Sequence, residues 1–412
     1  MPQTPPPRHA LDGIRVLDLS RVLAGPWSGQ ILGDLGADVV KVEVPVRGDD
    51  TRAWGPPFVE RPTGETKGAR ESAYYLSANR NKRSIAIDMG QEAGADLIHQ
   101  LAAKADIVVE NYKVGGLKKF GLDFAALHAV NPRLVYCSIT GFGQHGPYAE
   151  RGGYDFVAQA MGGLMGITGE AGGEPLKAGV AICDLFTGMY ATTAILAALR
   201  HAERTGEGQY IDCALLDTQI AMLANHGYSY LVGGVIAKPM GNAHPTVVPY
   251  QTFDASDGPL VIAVGNDGQF RALCQALGRA DLIADERFLT ASKRVLNREV
   301  LIPELQREIS KQRINELIDT LSAQGVPAGP INSIDQVFSD PQIEARDIVH
   351  HFKRADGVAI PGVAYPPKLS ATPADYRRAP PRLNEHRSEI LRDWLGLSPQ
   401  EEERLLSVGA LA

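Results

Sequence analysis

Short apolar runs recur through the first third of the chain, at residues 14–19, 38–43, 84–88, 106–110 and 134–139. Each has the length of a strand and is short for a helix of a globular protein. Between them the period changes. Gly25-Pro26-Trp27-Ser28 leads into a helical stretch through Leu32 and Leu35, with Pro26 suited to a first helical position. Residues 91–103 read as an amphipathic helix. Strand–helix alternation of this kind packs as a parallel sheet with helices on its faces.

The alternation continues through a strand at 210–213 and a helix at 216–228. Residues 232–258 then hold many Gly, Pro, Asn and His and few periodic runs, followed by a strand at 260–264 and helical patterns at 267–277 and 295–323. Single cores rarely grow past ~250–300 residues, so a chain of 412 residues allows two domains. We expect an α/β protein with a large Rossmann-like parallel-sheet domain, residues 1–225, completed by the C-terminal segment 331–412. Residues 226–330 form a smaller α+β domain. Gly325-Val-Pro-Ala-Gly-Pro330 reads as the return loop. The tail at 366–382 wraps the surface, and helices close the chain at 387–394 and 399–406.

Hydrophobic and charged fractions of 44% and 22% are ordinary for a soluble protein. A net charge of −7 argues against nucleic-acid and membrane-surface roles, which want a basic face. No run approaches the ~18 unbroken apolar residues of a membrane span, and the first eight residues lack the apolar core of a signal peptide. Cys137, Cys183, Cys213 and Cys274 are widely spaced, with no zinc-ligand pattern. Cys183 and Cys213 lie in apolar runs and read as reduced core residues, which fits a cytoplasmic protein.

Asp184 is the residue most suited to chemistry. It joins Ala178-Gly-Val-Ala-Ile-Cys183, read as a buried strand or extended segment, to an apolar helix through Leu199. A carboxylate there would be partly desolvated and held at the positive end of a helix, as a carboxylate nucleophile requires. Asp is also a favoured N-cap, and the local pattern leaves both readings open.

Other constellations carry less. Gly141-Phe-Gly-Gln-His-Gly146 matches the dinucleotide fingerprint, but it lies late in the sheet and no acidic second strand follows. A turn is the better reading. No phosphate-loop motif and no His-x-x-x-His pair is present, so a metal site has no support. Basic residues gather at strand ends: Arg47, Arg52, Arg80, Lys82, Arg83, Lys113, Lys118, Lys119 and Arg151. They read either as a solvated rim or as the seat of a phosphate- and acid-bearing ligand. His244, in a Pro-rich loop, is a candidate active-site flap.

Taken together, several segments resemble the class III CoA-transferase family, which includes formyl-CoA:oxalate and carnitine CoA-transferases. They are Leu11-Asp-Gly-Ile-Arg-Val-Leu-Asp-Leu-Ser20, Ala24-Gly-Pro, Leu35-Gly-Ala-Asp-Val-Val-Lys-Val-Glu43, Gly48-Asp-Asp-Thr-Arg52, Asn81-Lys-Arg-Ser-Ile85, Asp106-Ile-Val-Val-Glu-Asn111, Asp184 with Thr187-Gly188, and Gly325 to Pro330. The resemblance implies an interlocked, obligate homodimer with Asp184 as nucleophile. It implies no permanently bound cofactor, with a coenzyme A thioester as substrate. It places Leu23, Ala24, Ile87, Asp88, Met89, Asn111, Tyr112, Lys119, Tyr154 and Asp155 on the CoA wall. Lys119 stands where relatives often have Arg, and Val44 where some have a basic residue.

Within the family, residues 48–59, 136–144 and 248–251 are most similar to the branch that passes CoA between succinate and hydroxymethylglutarate. Succinyl-CoA as donor, with glutarate or 3-hydroxymethylglutarate as acceptor, is therefore the expectation. The distal carboxylate could meet Arg21, Arg52, Arg80 or Arg83, and the sequence does not choose. Two rivals are a formyl-CoA:oxalate type of transferase and an α-methylacyl-CoA racemase. The first wants a glycine-rich flap, where this chain has His244-Pro-Thr-Val-Val248. The second pairs its aspartate with a Gly-His-Asp, where this chain has Gly153-Tyr154-Asp155.

Overall fold

The computed structural model describes residues 8–59, 71–354 and 356–411. They form two compact units. The first takes the described residues of 1–164, 177–234 and 344–412; the second takes 165–176 and 235–343. The boundaries thus fall after Gly234 and Ile343, not after 225 and 330. Helix Ala224–Gly233 stays with the first unit, and helix Ile334–Phe338 stays with the second.

The first unit is built on six parallel strands: β1 Arg15–Asp18, β2 Asp38–Glu43, β3 Lys82–Ala86, β4 Ile107–Glu110, β5 Val135–Thr140 and β6 Tyr210–Ala214. Their order is β3-β2-β1-β4-β5-β6. Val16, Val39 and Ile107 face one core, and their neighbours Leu17, Val40 and Val108 face the other. Both faces are covered, which is why these strands read as unbroken apolar runs. The C-terminal segment closes one face. Ile390, Leu391 and Trp394 enter the core, Trp394 Nε1 donates to Asp38 Oδ2 at 2.7 Å, and Leu411 bridges Ile87. A short antiparallel pair, β10 Val349–Lys353 and β11 Ala359–Val363, belongs to this unit.

In the second unit, β7 Tyr250–Ala255, β8 Gly258–Ala263 and β9 Ala328–Pro330 form an antiparallel sheet. Helices Asp267–Ala276, Arg298–Ile309 and Ile314–Ala323 pack on it around Phe253, Phe270 and Leu305. The segment at 325–330, expected as a loop, ends in β9.

Two further expectations change. Residues 178–183 form no strand: helix Ile182–Thr205 begins inside that run. Helix Ala24–Asp34 starts two residues earlier than expected, so Pro26 sits third in it, where its missing N–H still costs nothing. Helix Ile182–Thr205 has a mean hydropathy of 1.5 and, by length and composition alone, could cross a membrane. Here about half of it is buried. Thr187, Ala191, Ile195 and Ala198 form a stripe against the sheet at helical spacing.

Candidate active site

The strand order reverses between β1 and β4, and the carboxyl ends of those strands open a crevice, the usual ligand seat of an open parallel sheet. Asn111 stitches the two strand ends together. Its Oδ1 accepts from Arg21 N at 2.8 Å and its Nδ2 donates to Arg21 O at 2.6 Å. The resulting cleft spans about 890 Å³, part of it open to solvent. Its walls are Arg21–Ala24 after β1, Asn111–Val114 after β4, Ile139–Gly141 at the end of β5, and the loop from Ala149 to Tyr154, with Asp184 among them. Arg21, Lys113 and Arg151 are its basic lining residues, and Asp184 its acidic one. A cleft of that charge suits a polyanionic ligand.

Two loops of this wall touch through glycines. A Cβ on Gly153 would stand 2.3 Å from the Gly141 Cα, so neither position has room for a side chain.

Asp184 is the third residue of its helix, not the cap, and is 9% exposed. The cap comes from elsewhere. Asp155 Oδ1 accepts from Cys183 N at 2.8 Å and from Asp184 N at 3.2 Å. Asp155 Oδ2 accepts from Gln159 Nε2 at 2.6 Å, and Gln159 Oε1 accepts from Ala178 N at 2.9 Å. These contacts fix the first turn through free amides that a helix start leaves unpaired. Burial, and secondarily the charge of Asp155, push the Asp184 carboxyl up to about 7. The helix dipole favours the ionised form, but desolvation outweighs it here.

Two neighbours feel the same surroundings. The Tyr74 phenol is pushed up to about 12 by burial and then by the charges of Asp184 and Asp155. The Cys183 thiol is pushed up to about 12 by burial and by the same two carboxylates. It donates to Leu215 O at 3.1 Å, and so is a packed thiol, not a reactive one.

The wall segment 20–26 is held from below by buried charges. Lys41 Nζ pairs with Asp49 Oδ2 at 2.9 Å and donates to Ser20 O at 2.8 Å. Lys82 Nζ pairs with Asp18 Oδ2 at 2.9 Å and donates to Pro26 O at 2.8 Å. Asp18, Lys41 and Lys82 are fully buried. Asp49 also accepts from Val22 N at 3.3 Å, and Val22 has φ +71°, a costly conformation for a β-branched residue. Leu23 then opens helix Ala24–Asp34 without a side-chain cap, leaving first-turn amides at the cleft wall.

Of the residues expected at the CoA wall, Leu23, Ala24, Asn111, Tyr112 and Tyr154 line the cleft with Asp184. Met89 lines a small adjoining cavity with Arg21, Val44 and Tyr112. The others do not line it. Ile87 is core, Asp88 accepts from Gly90 N, Asp155 is the helix cap just described, and Lys119 lies over the Phe120 ring at 4.6 Å.

Arg52 and Arg80, expected at the substrate, are buried in internal pairs. Arg52 is 1% exposed and binds Glu43 through Nε at 2.7 Å and Nη2 at 2.8 Å. Arg80 binds both Asp34 oxygens, at 2.9 and 2.6 Å. Neither lines the cleft; Arg52 Nη1, which has no hydrogen-bond partner, faces Glu71 Oε1 at 3.6 Å. Arg83 is likewise held by Asp38, Glu389 and Asp393. His244 lies in the second unit, where its Nδ1 accepts from Thr246 N at 3.2 Å and its carbonyl accepts from Arg298 at 3.2 Å. Among the described residues no cluster of His, Cys, Asp or Glu could hold a metal.

Sequence reasoning missed Tyr74, Gln159 and the Lys41–Asp49 pair. Only Lys41 carried a signal, as a charge on a strand buried on both faces.

The architecture is an α/β protein whose switch-point cleft is lined by basic residues and by one desolvated carboxylate. The chain belongs to CoA-transferase family III, whose model matches residues 11–387. It is 51% identical over 393 residues to the succinate–glutarate CoA-transferase of Agrobacterium fabrum, covering 95% of this chain and 97% of that one. It is 42% identical over 403 residues to the Homo sapiens succinyl-CoA:glutarate CoA-transferase, covering 97% and 90%. The crystal structure of a CAIB/BAIF family protein from Brucella suis superposes with a TM-score of 0.82 at 49% identity, covering 94% and 99%.

Proposed function

We propose that this CoA-transferase moves CoA from succinyl-CoA to a free dicarboxylate, glutarate or 3-hydroxymethylglutarate, with Asp184 as the nucleophile. The observation that carries the reading is Asp184 itself: a desolvated carboxylate, fixed by its helix, on a cleft whose other charged lining residues, Arg21, Lys113 and Arg151, are basic. The names of the relatives support the choice of donor and acceptor.

The ionised Asp184 attacks the thioester carbonyl. The C–S bond breaks, leaving a mixed anhydride and CoA thiolate. The thiolate attacks the aspartyl carbonyl, releasing succinate and forming an aspartyl-CoA thioester. The acceptor carboxylate attacks that thioester and expels the thiolate. The thiolate then attacks the acceptor's carbonyl in the new anhydride, giving product and free Asp184. Burial raises the nucleophile's reactivity, the fixed turn gives it its angle, and water must be kept out of the anhydride stages. The loop around His244 is the candidate flap.

We further propose an obligate homodimer. Phe156, Met161, Phe186, Tyr190, Tyr228 and Leu231 of the first unit are all exposed, an apolar surface that a second copy would cover. A cytoplasmic location fits four cysteines that are all free. We propose no nucleic-acid or membrane partner. Racemisation is disfavoured because Tyr154 stands where a basic His would be needed, and the oxalate reading because the glycine flap is missing.

The test is to incubate the protein with succinyl-CoA and a panel of free acids and to follow acyl-CoA products by mass spectrometry, with Asp184→Ala as control. New dicarboxyl-CoA products, absent in the variant, are expected. Deuterium entering the α-position of a 2-methylacyl-CoA, with no transfer to any acid, would replace the reading by the isomerase.

A further inference from the structure

We infer that Arg21 is the residue that grips an oxyanion of the acyl-CoA in this cleft. Of the four arginines at the sheet's strand ends that could do so, Arg52 and Arg80 are paired with buried carboxylates and Arg83 with three partly exposed ones, and none of the three lines the cleft. Arg21 differs in three ways. It lines the cleft that holds Asp184 and also the smaller cavity next to it, so it stands between the two. Its main chain is pinned on both sides, through its own N–H and carbonyl to Asn111 and through the next residue to Asp49. Its side chain is oriented by Asp50, which takes Nη1 at 2.9 Å, and by the Tyr112 ring at 5.3 Å.

That orientation leaves Nε buried and without a hydrogen-bond partner. A buried guanidinium N–H without an acceptor is costly, and the Nε edge is one that a carboxylate or phosphate takes side-on with two oxygens. Arg151 and Lys113 share the cleft, but both are exposed, and Arg151 lies flat on Tyr148 at 3.9 Å. Arg21, anchored in the wall and with its side chain 34% exposed, is the seat once it turns its Nε edge toward the ligand; the other two supply field.

Two oxyanions of the substrate fit this chemistry: the diphosphate of CoA and the terminal carboxylate of a dicarboxyl acyl group. The second rests on the proposed function. Direct binding therefore decides, without relying on turnover. Calorimetry with CoA, succinyl-pantetheine and acetyl-pantetheine is run on the wild type, Arg21→Gln, Arg21→Lys and Arg21→Ala. Losing a charge-assisted bidentate contact should weaken binding about tenfold or more.

Weakened CoA with unchanged pantetheine thioesters assigns the diphosphate. Weakened succinyl-pantetheine with unchanged acetyl-pantetheine assigns the carboxylate. In either case Arg21→Lys recovers only part, because an ammonium offers no fork, and added guanidinium ion partly restores binding to Arg21→Ala. Unchanged affinity for all three ligands, or an equal loss for acetyl-pantetheine, would overturn the proposal. If the wild type binds these ligands through Arg21 yet transfers nothing from succinyl-CoA, the functional reading fails and this one stands.

Discussion

Asp155 and Asp184 lie 29 residues apart in sequence, and the side chain of the first accepts from the backbone N–H of the second at 3.2 Å. Asp155 therefore acts on Asp184 twice: it fixes the turn that carries it, and its charge raises the Asp184 carboxyl. Substitution separates the two effects. Asp155→Asn keeps an oxygen to accept the amides but loses the charge and sets its amide nitrogen against Gln159 Nε2, so the acid limb of the pH–rate profile should move to lower pH with a partial loss of kcat. Asp155→Ala loses the acceptor as well. It should cost about 1 kcal/mol of stability, as helix-cap losses do, and lower kcat. Profiles of all three proteins between pH 5 and 9 check this.

Transfer itself should rise with pH up to about 7, where Asp184 becomes ionised. Stability runs the other way. The folded state holds the Asp184 proton more tightly than the unfolded chain does, so this contribution is greatest below the ordinary carboxylate value of 3.8 and is lost as pH rises to about 7. Above that, an ionised Asp184 costs up to about 4 kcal/mol. Asp184→Asn, inactive in transfer, should therefore be more stable than wild type at pH 8, with the gap closing toward pH 4. Thermal melts across that range measure it; a gap independent of pH would contradict the raised carboxyl.

Lys41→Met should destabilise by about 3–5 kcal/mol, because it leaves Asp49 buried without its cation. Adding Asp49→Leu should recover part of that stability, since an apolar pair can replace a buried ion pair, but not the bonds that Asp49 accepts from Thr51 N and Oγ1. It should not recover transfer, because Ser20 O and Val22 N lose the partners that shape the cleft wall. Denaturant midpoints and kcat/KM on the single and double variants distinguish the two.

Gly153→Ala would bring a methyl to about 2.3 Å from the Gly141 Cα, so one of the two loops must move. CoA affinity should fall while the melting temperature changes little, because the contact lies on the cleft wall outside the core. Calorimetry and thermal melts report the two quantities separately.

The sheet was legible because parallel strands covered on both faces leave unbroken apolar runs: residues 38–43 coincide with β2, and 106–110 contain β4. Residues 178–183 misled for the same reason, since an apolar run entering a buried helix looks like a strand. Asp184 was visible as a charge in an apolar junction, but its cap was not, because that contact comes from a side chain 29 residues away. Arg21, Arg52, Arg80 and Arg83 look alike in sequence. All four have a carboxylate partner, and what separates them is that Arg21 alone of the four lines the cleft, a placement no local pattern encodes.

The central claim is that the Asp184 carboxylate is covalently part of transfer, and oxygen isotope tracing reads it most directly. Glutarate labelled with ¹⁸O in both carboxylates is turned over with succinyl-CoA, and the peptide carrying Asp184 is then weighed by mass spectrometry. An acyl–aspartyl anhydride resolved by thiolate attack on the acceptor carbonyl leaves an acceptor oxygen on Asp184, so that peptide should gain ¹⁸O, and released succinate should gain it in later turnovers. Normal glutaryl-CoA formation with no label at Asp184 would contradict the account.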